Sequence, residues 1–429
     1  MKIGIIGSGH VGLVSGAGFA DLGNEVICMD QDEQKISMLK RNKTPFFEPG
    51  LAEILKRNMT EGRLRFTTSM SEVVKKSQVI FLCVGTPPQA TGEADVSAIA
   101  QVAKEIGRNL TGYRLIVEKS TVPVETGHQL YLMIKASQTK KVPFDVASNA
   151  EFLREGSALY DFFNPDRIVL GVNTDRARKL LLEIYKPFKA AIFVTDVTSG
   201  EMIKHASNSF LAMKISFMNL ISRICEKAGA DVTKVAEGMG SDRRIGKSFL
   251  NAGVGFGGSC FPKDLMAFMR IAEKLDVSSE LLKAIWNVNE EQKTYFVNKV
   301  RSVLKNLRGK KLAVLGLAFK PDTDDMRNAP SIDIVSQLGL DGATIVAFDP
   351  QAMQSAKEYI KKIKYASNPY EACREADAML ILTEWREFRE LDLKRLKRLL
   401  KSPIVIDGRN IYDPAVMKKN GFRYYSIGR

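Results

Sequence analysis

Lys2-Ile3-Gly4-Ile5-Ile6-Gly7-Ser8-Gly9-His10-Val11-Gly12 is the stretch from which the fold of this chain follows. A β-rich run enters G-x-G-x-x-G directly, and a helical apolar pattern over residues 11–22 opens from the loop. The next β-rich run, 26–29, ends in Asp30, close to the ~20-residue offset at which a dinucleotide fold places the acid that bonds the adenosine ribose. In that motif Gly7 allows the tight turn, Gly9 the close approach of a pyrophosphate, and Gly12 the packing of helix on strand. The helix start offers its unpaired N–H groups to the phosphates. A carboxylate at Asp30 would repel a 2′-phosphate, so the pattern calls for NAD as cofactor rather than NADP.

Working outward, runs at 3–6, 26–29, 79–84, 115–117, 145–147 and 168–170 read as strands, with helical patterns between them such as 11–22 and 98–107. That alternation predicts βαβ units and a parallel sheet. From 199 to 228 the rhythm changes. Met202, Ile203, Ala206, Phe210, Met213, Phe217, Leu220, Ile221 and Ile224 recur at helical spacing, which predicts one helix of ~30 residues. A glycine-rich loop at 253–258 follows, then helical patterns at 265–274 and 281–304. At Lys310 the alternation resumes, with strands at 312–315, 344–348, 378–382 and 404–406. The expected class is α/β: two Rossmann-like parallel-sheet domains joined by a long central helix and a helical middle region. The boundaries fall at 1–198, 199–305 and 306–429.

Composition narrows the function classes. A chain of 429 residues is long for one core, and 45% hydrophobic with 26% charged residues is the balance of a globular protein, not of a disordered or collagenous one. The longest apolar runs are strand-length, far short of a membrane span. The N-terminus enters the glycine loop with no small-residue cleavage site, so a cytoplasmic protein is expected. The net charge of +14 is spread along the chain without a basic run interleaved with aromatics, so no nucleic acid and no membrane partner is expected. Polyanionic small molecules suit that charge. No metal is expected.

Five cysteines are too few and too scattered for a disulfide framework. Cys28, Cys83 and Cys225 lie in or beside apolar elements and read as small core residues. Cys260 differs: it sits in Gly255-Phe256-Gly257-Gly258-Ser259-Cys260-Phe261-Pro262-Lys263-Asp264. Glycines let the backbone wrap a ligand, Lys263 favours a thiolate, and Asp264 can order water, which makes Cys260 a candidate nucleophile. Lys204 and Asn208 share one face of the long helix, where an ammonium and an amide aimed together would form an oxyanion site. His205 projects elsewhere and reads as structural. Glu151 and Glu155, four apart, are placed one helical turn from each other, as acid–base groups or as capping and surface carboxylates. Thr86 and Thr121 follow strands and precede prolines, so they border the carboxyl ends where ligands of open sheets bind.

Together these motifs resemble the UDP-glucose dehydrogenase family, within the wider UDP-glucose/GDP-mannose dehydrogenases. The resemblance spans nearly the whole chain: the first loop, Ser120-Thr121-Val122-Pro123-Val124, the Glu151 segment, Pro165-Asp166-Arg167, the Lys204 helix, residues 242–264, Gly316-Leu317-Ala318-Phe319-Lys320-Pro321, Thr383-Glu384-Trp385 and Asp407-Gly408-Arg409-Asn410. Phe256 to Asp264 looks like the UDP-glucose branch, because the N-acetylmannosamine branch carries a histidine before the cysteine. The resemblance implies Cys260 as nucleophile, Lys204 and Asn208 as stabilisers of negative oxygen, and Asp264 as a partner ordering lysine and water. It implies Glu151 as an acid–base or positioning group beside the sugar and Thr121 as the holder of a water. Around the cofactor it implies Gly7, Gly9, Val11, Gly12, Asp30, Lys35, Thr86, Thr121, Glu155, Lys263 and Arg327. Around the substrate it implies Glu151, Phe152, Leu153, Glu155, Lys204, Asn208, Phe249, Leu250, Gly257, Lys320 and Arg409, with Arg244 reaching across the interface of a homodimer.

The activity implied is a four-electron oxidation of UDP-glucose with NAD through a thiohemiacetal and a thioester on Cys260. Other readings are a dehydrogenase for another nucleotide sugar, such as UDP-N-acetylmannosamine or GDP-mannose, and a non-catalytic sensor of NAD or nucleotide sugar. Two departures stand out. The family's usual Asn-Pro-Glu is Asn149-Ala150-Glu151 here, and the common tyrosine of the first loop is His10.

Overall fold

The structure is a computed structural model that describes residues 1–429. It separates into two compact units, Met1–Ser207 with Met266–Val277, and Asn208–Leu265 with Ser278–Arg429.

The first unit is built on eight strands: β1 (Lys2–Ile6), β2 (Glu25–Met29), β3 (Leu64–Thr67), β4 (Val79–Leu82), β5 (Arg114–Glu118), β6 (Phe144–Ser148), β7 (Arg167–Val172) and β8 (Ala191–Thr195). Their order is β3-β2-β1-β4-β5-β6-β7-β8. The central strands are apolar on both faces, as a sheet covered by helices on each side requires; β4, Val-Ile-Phe-Leu, is buried at every position. The sheet is mixed, not wholly parallel as expected, because β6 and β7 pair antiparallel while β7 and β8 are parallel to each other. Between β6 and β7 the only helix is the six-residue Ala158–Phe163. So short a helix, about 9 Å long, does not carry the chain back across the sheet, and the chain returns along the same edge.

The second unit holds β9 (Lys311–Leu315), β10 (Thr344–Phe348), β11 (Lys364–Tyr365), β12 (Ala378–Ile381), β13 (Ile404–Asp407) and β14 (Arg423–Ser426). They are ordered β11-β10-β9-β12-β13-β14 and all pairings are parallel. Strand order switches at β1 in the first sheet and at β9 in the second, the two places where an open α/β sheet forms a ligand crevice at its carboxyl edge.

The long helix is Val197–Ala228, of 32 residues, followed by Val232–Gly240, Phe261–Lys274 and Glu280–Leu304. From Phe210 onward it buries Ala212, Met218 and Cys225 but leaves Phe210, Phe217 and Ile224 exposed at seven-residue intervals. No helix is long and apolar enough to cross a membrane.

Candidate active site

The first loop has the geometry its glycines require. Gly7 has φ +98°, and a Cβ there would lie 2.6 Å from the Cys83 carbonyl oxygen. A Cβ on Gly12 would meet the Gly7 oxygen at 1.8 Å, whereas one on Gly9 would meet nothing within 4 Å. Gly7 and Gly12 are thus demanded by the protein, and Gly9 leaves open surface where a ligand's backbone contact belongs. The helix His10–Asp21 that starts here has no side-chain cap and no acid in its first turn, so no side chain of its own first turn competes with an anion for its N-terminal N–H groups. Val11 is partly buried in that turn.

Asp30 closes the loop. Its Oδ2 accepts from Ser8 N and from Lys35 Nζ, both at 2.9 Å, and its Oδ1 accepts from Asp32 N at 3.1 Å. Burial raises its pKa, but the Lys35 ammonium and the two N–H groups outweigh this and hold the carboxyl below its usual range. A fixed carboxylate at the end of β2 and an uncapped helix start beside open Gly9 fit a dinucleotide with a free ribose diol.

At the carboxyl ends of β4 and β5, Thr86 Oγ1 donates to the Thr121 carbonyl at 2.8 Å, and Ser120 Oγ donates to the Val84 carbonyl at 2.6 Å. The two turns expected to border the site are therefore one hydrogen-bonded edge. Behind it, buried Lys119 donates to Asn149 Oδ1 at 3.0 Å, and desolvation lowers its pKa.

Glu151 and Lys204 form the buried pair of the first unit. Lys204 Nζ donates to the Glu151 carbonyl at 2.7 Å and to its Oε1 at 3.1 Å, while Oε2 accepts from Leu153 N at 2.6 Å. The Phe152 ring centroid lies 3.6 Å from Arg167 Cζ and 5.2 Å from Lys204 Nζ, so the ring contacts two cations. Glu151 and Glu155 are not on a helix: residues 149–154 carry no regular structure and a turn follows. The amides that a helix would use are taken by side chains. Glu48 accepts from Gly156 N and Ala158 N at 2.7 and 2.8 Å, Asp161 accepts from Arg154 N at 2.9 Å, and Gly156 has φ +81°. Glu155 is partly exposed in that turn. His10 is tied to the same anchor, with Nε2 at 2.9 Å from Glu48 Oε2 and its ring stacked on Phe46.

Asn208 lies one turn beyond Lys204 on the long helix and belongs to the second unit. Its Nδ2 donates to Asp264 Oδ2 at 2.6 Å, and Lys263 Nζ donates to Asp264 Oδ1 at 2.6 Å. Asp264 is buried and holds both groups. Asp264 N in turn donates to the Cys260 carbonyl at 2.8 Å, which places Cys260 at the N-cap of the helix Phe261–Lys274. Cys260 is the only cysteine that is not buried.

The glycine loop before Cys260 is pinned by amide side chains. Asn219 Oδ1 accepts from Gly253 N at 2.8 Å, Gln292 Nε2 donates to the Gly253 carbonyl at 2.8 Å, and Asn289 bonds both N and O of Phe256. A Cβ on Gly257 would lie 2.2 Å from the Asn328 carbonyl oxygen, so that position accepts no side chain. Gly258 N donates to the Arg327 carbonyl at 2.8 Å. Arg409 Nε donates to the Leu382 carbonyl at 2.8 Å and lies 3.2 Å from Glu384; its Nη2 reaches the Phe319 carbonyl at 3.3 Å, beside Lys320. Leu250 is buried and Phe249 has φ +65°. Thus Gly257, Lys320 and Arg409 are gathered on one side of the second unit. Arg327 extends outward to Asp325 at 2.8 Å, and Arg244 is exposed, paired with Asp242 at 2.6 Å.

Sequence reasoning missed the supports. Glu48, Lys119, Asn149, Asn219, Asn289 and Gln292 act through partners at least 30 residues away in most of these bonds, and no local pattern announces them. Lys119 alone left a signal, a lysine at the end of an apolar strand.

Comparison with known proteins gives the family. The UDP-glucose/GDP-mannose dehydrogenase family matches in three parts: its NAD binding domain over residues 1–189, its central domain over 198–291 and its UDP binding domain over 313–414. The chain is 46% identical over its full length to UDP-glucose 6-dehydrogenase TuaD of Bacillus subtilis, covering 93% of that protein. It is 48% identical to the UDP-glucose 6-dehydrogenase of Rhizobium meliloti, covering all of both. A UDP-glucose dehydrogenase structure from Pyrobaculum islandicum superposes with a TM-score of 0.93 at 38% identity, covering 100% of this chain and 98% of that one. With three consecutive family domains and full-length relatives at 46% and 48% identity, the chain belongs to the UDP-glucose/GDP-mannose dehydrogenase family.

Proposed function

We propose that this protein is an NAD-dependent UDP-glucose 6-dehydrogenase, converting UDP-glucose to UDP-glucuronate at Cys260. The observation that carries the reading is the Cys260 turn, where the partly exposed cysteine immediately precedes a helix whose Asp264 holds Lys263 and Asn208. Full-length identity of 42–48% to UDP-glucose 6-dehydrogenases supports the choice of sugar.

Bound NAD+ supplies a hydride acceptor. Gly9, the first turn of the helix His10–Asp21 and Asp30 would hold it, with Lys35, Val11, Thr86 and Thr121 around it and Glu155, Lys263 and Arg327 as further contacts. Lys204 stabilises the alkoxide as the C6 hydroxyl loses its proton and hydride to become an aldehyde. The Cys260 thiol then adds across the aldehyde carbonyl, its sulfur bonding to C6 and its proton passing to the carbonyl oxygen, which gives a thiohemiacetal. Loss of a second hydride and a proton leaves a thioester. Water held by Thr121 or Asp264 attacks it, the C–S bond breaks, the thiol is restored and the carboxylate leaves. Asn208 uses one amide hydrogen on Asp264 and keeps the other for the tetrahedral oxyanion. Glu151 orients Lys204 and receives protons. Net, one UDP-glucose, two NAD+ and one water give UDP-glucuronate, two NADH and three protons.

In this reading residues 1–198 serve the cofactor, 199–305 the link and thiol, and 306–429 the nucleotide sugar through Lys320 and Arg409, with Phe152, Leu153, Phe249, Leu250 and Gly257 lining it. The protein acts in the cytoplasm, as its five free thiols suit a reducing compartment. It works as a homodimer. The exposed stripe of Phe210, Phe217 and Ile224 on the long helix supports that assembly, with Arg244 contributing across it. A panel of UDP-glucose, UDP-N-acetylmannosamine and GDP-mannose, read by NADH formation, tests the substrate: turnover only with one of the latter two rejects UDP-glucose.

A further inference from the structure

Glu118, at the end of β5, and Glu201, on the long helix, are both buried, at 2% and 3% exposure. They meet over Gly127: a Cβ placed there would lie 3.1 Å from Glu118 Oε2 and 3.3 Å from Glu201 Oε1. Their surroundings differ. Glu201 accepts from Glu125 N and Gly127 N, each at 2.7 Å, and so caps the helix Thr126–Ser137. Glu118 has no N–H or hydroxyl donor on either oxygen. Two carboxylates cannot both be ionised in one buried site, and a carboxylate without donors is the one that takes the proton.

We infer that Glu118 is a carboxylic acid donating its proton to the Glu201 carboxylate, and that this pair positions the turn 119–125, which carries Thr121, against the long helix that carries Lys204. The turn is gripped at both ends. Glu118 precedes it on β5, and Glu201 holds its last residue, Glu125, in a left-handed conformation of φ +75° that a non-glycine residue adopts only under constraint. One helical turn after Glu201, His205 Nε2 meets the Val122 carbonyl at 2.7 Å. The cations nearby are engaged elsewhere, Lys119 with Asn149 and Lys204 with Glu151. At the N-cap of the helix Thr126–Ser137, Glu125 adds a further negative charge beside Glu201, and on the helix His128 is exposed. Burial first, and the facing Glu201 second, push Glu118 well above the usual carboxyl range; burial also raises Glu201, offset in part by its two N–H donors.

The sign follows from these directions. A carboxyl whose folded pKa is raised contributes stability that is whole below the unfolded pKa and is lost as pH rises through the folded one. Glu118→Gln keeps a donor to Glu201 at every pH. Its melting temperature should therefore match wild type in acid and exceed it increasingly up to the pH where the pair loses its proton. The consequence for turnover rests on the function proposed above. Above that pH wild-type kcat should fall by about tenfold per pH unit, and Glu118→Gln should lack that fall while matching wild type near neutrality. Glu118→Leu, which has no donor, should lose kcat at all pH values without that titration.

In infrared difference spectra, wild type minus Glu118→Gln should show a carboxylic-acid C=O band. A melting-temperature difference that stays flat from about pH 5 to about pH 9, or no acid band, overturns the shared proton. Glu118→Leu with the kcat of Glu118→Gln overturns the positioning. Should wild type not turn over UDP-glucose at all, the proposed function fails, while melting and infrared still decide the pair.

Discussion

The two sheets repeat one device and use it for different ends. Gly7 at the end of β1 and Gly316 at the end of β9 have φ of +98° and +91°, and each N–H donates to the carbonyl ending the neighbouring strand, Met29 and Phe348. Each sheet then places an aspartate just beyond that strand. Asp30 accepts two backbone N–H groups and Lys35 and stays within reach of solvent at 9% exposure. Asp349 is wholly buried and accepts from Leu317, Ala318, Gln351 and Ala352 N–H and from Trp385 Nε1. The helices differ as well. In the first sheet His10–Asp21 starts within the loop, while in the second the next helix begins only at Pro330. The lesson is that topology supplies a crevice twice, but only the first keeps a free helix start and a reachable carboxylate for a dinucleotide. The second spends its aspartate on holding its own loop together.

The largest effect that would break this comparison is at Asp349. Asp349→Ala strands five donors, four of them buried, and should cost about 3–5 kcal/mol, read as a lower urea midpoint. Asp30→Ala should cost far less. Equal losses would mean that both carboxylates are structural.

Gly9→Ala is the sharper test of the first crevice. With nothing within 4 Å of the new Cβ, melting should be unchanged, while KM for NAD+ should rise by about tenfold or more through a clash with the pyrophosphate. An unchanged KM would remove the loop from the cofactor site.

Next in size is cofactor choice. NAD+ should be a far better acceptor than NADP+, and Asp30→Ala should narrow the gap by removing the charge that repels a 2′-phosphate. Equal wild-type rates with both cofactors would contradict the role of Asp30.

The smallest effect concerns acid stability. Because the folded Asp30 carboxyl is held below its usual range, its contribution is present above the unfolded pKa and is lost as pH falls through the folded one. Asp30→Asn should flatten that acid-side loss slightly in a pH series of melting curves, and Asp30→Asn with the wild-type slope would contradict it.

The parts of the fold that sequence hid share a physical cause. Every strand absent from the expectation, β3, β8, β11 and β14, is an edge of its sheet. Edge strands pack on one side only, so β8 has no buried residue, β14 reads exposed and half-buried for most of its length, and β11 has two residues. Without a buried apolar run those three strands have no periodic signal to find, whereas β3 does alternate, with Leu64 and Phe66 buried, but over only four residues. Interior strands such as β4 and β10 were plain for the opposite reason. In the site, residues whose chemistry shows in their neighbours along the chain were legible: Cys260 among glycines, and Lys204 with Asn208 one turn apart. Glu151 and Glu155 were misplaced on a helix because their four-residue spacing carries no sign of Glu48, which takes the amides of that loop from over 100 residues away. The pairing of Glu118 with Glu201 was illegible for the same reason.

The most direct test of the central claim is to measure NADH formed per UDP-glucose consumed, in wild type and in Cys260→Ala. The account predicts two NADH per sugar with UDP-glucuronate as product in wild type, and no net turnover in Cys260→Ala, which should still reduce the C6 aldehyde with NADH because that step needs no thiol. One NADH per sugar with aldehyde released by wild type, or full formation of UDP-glucuronate by Cys260→Ala, would contradict it.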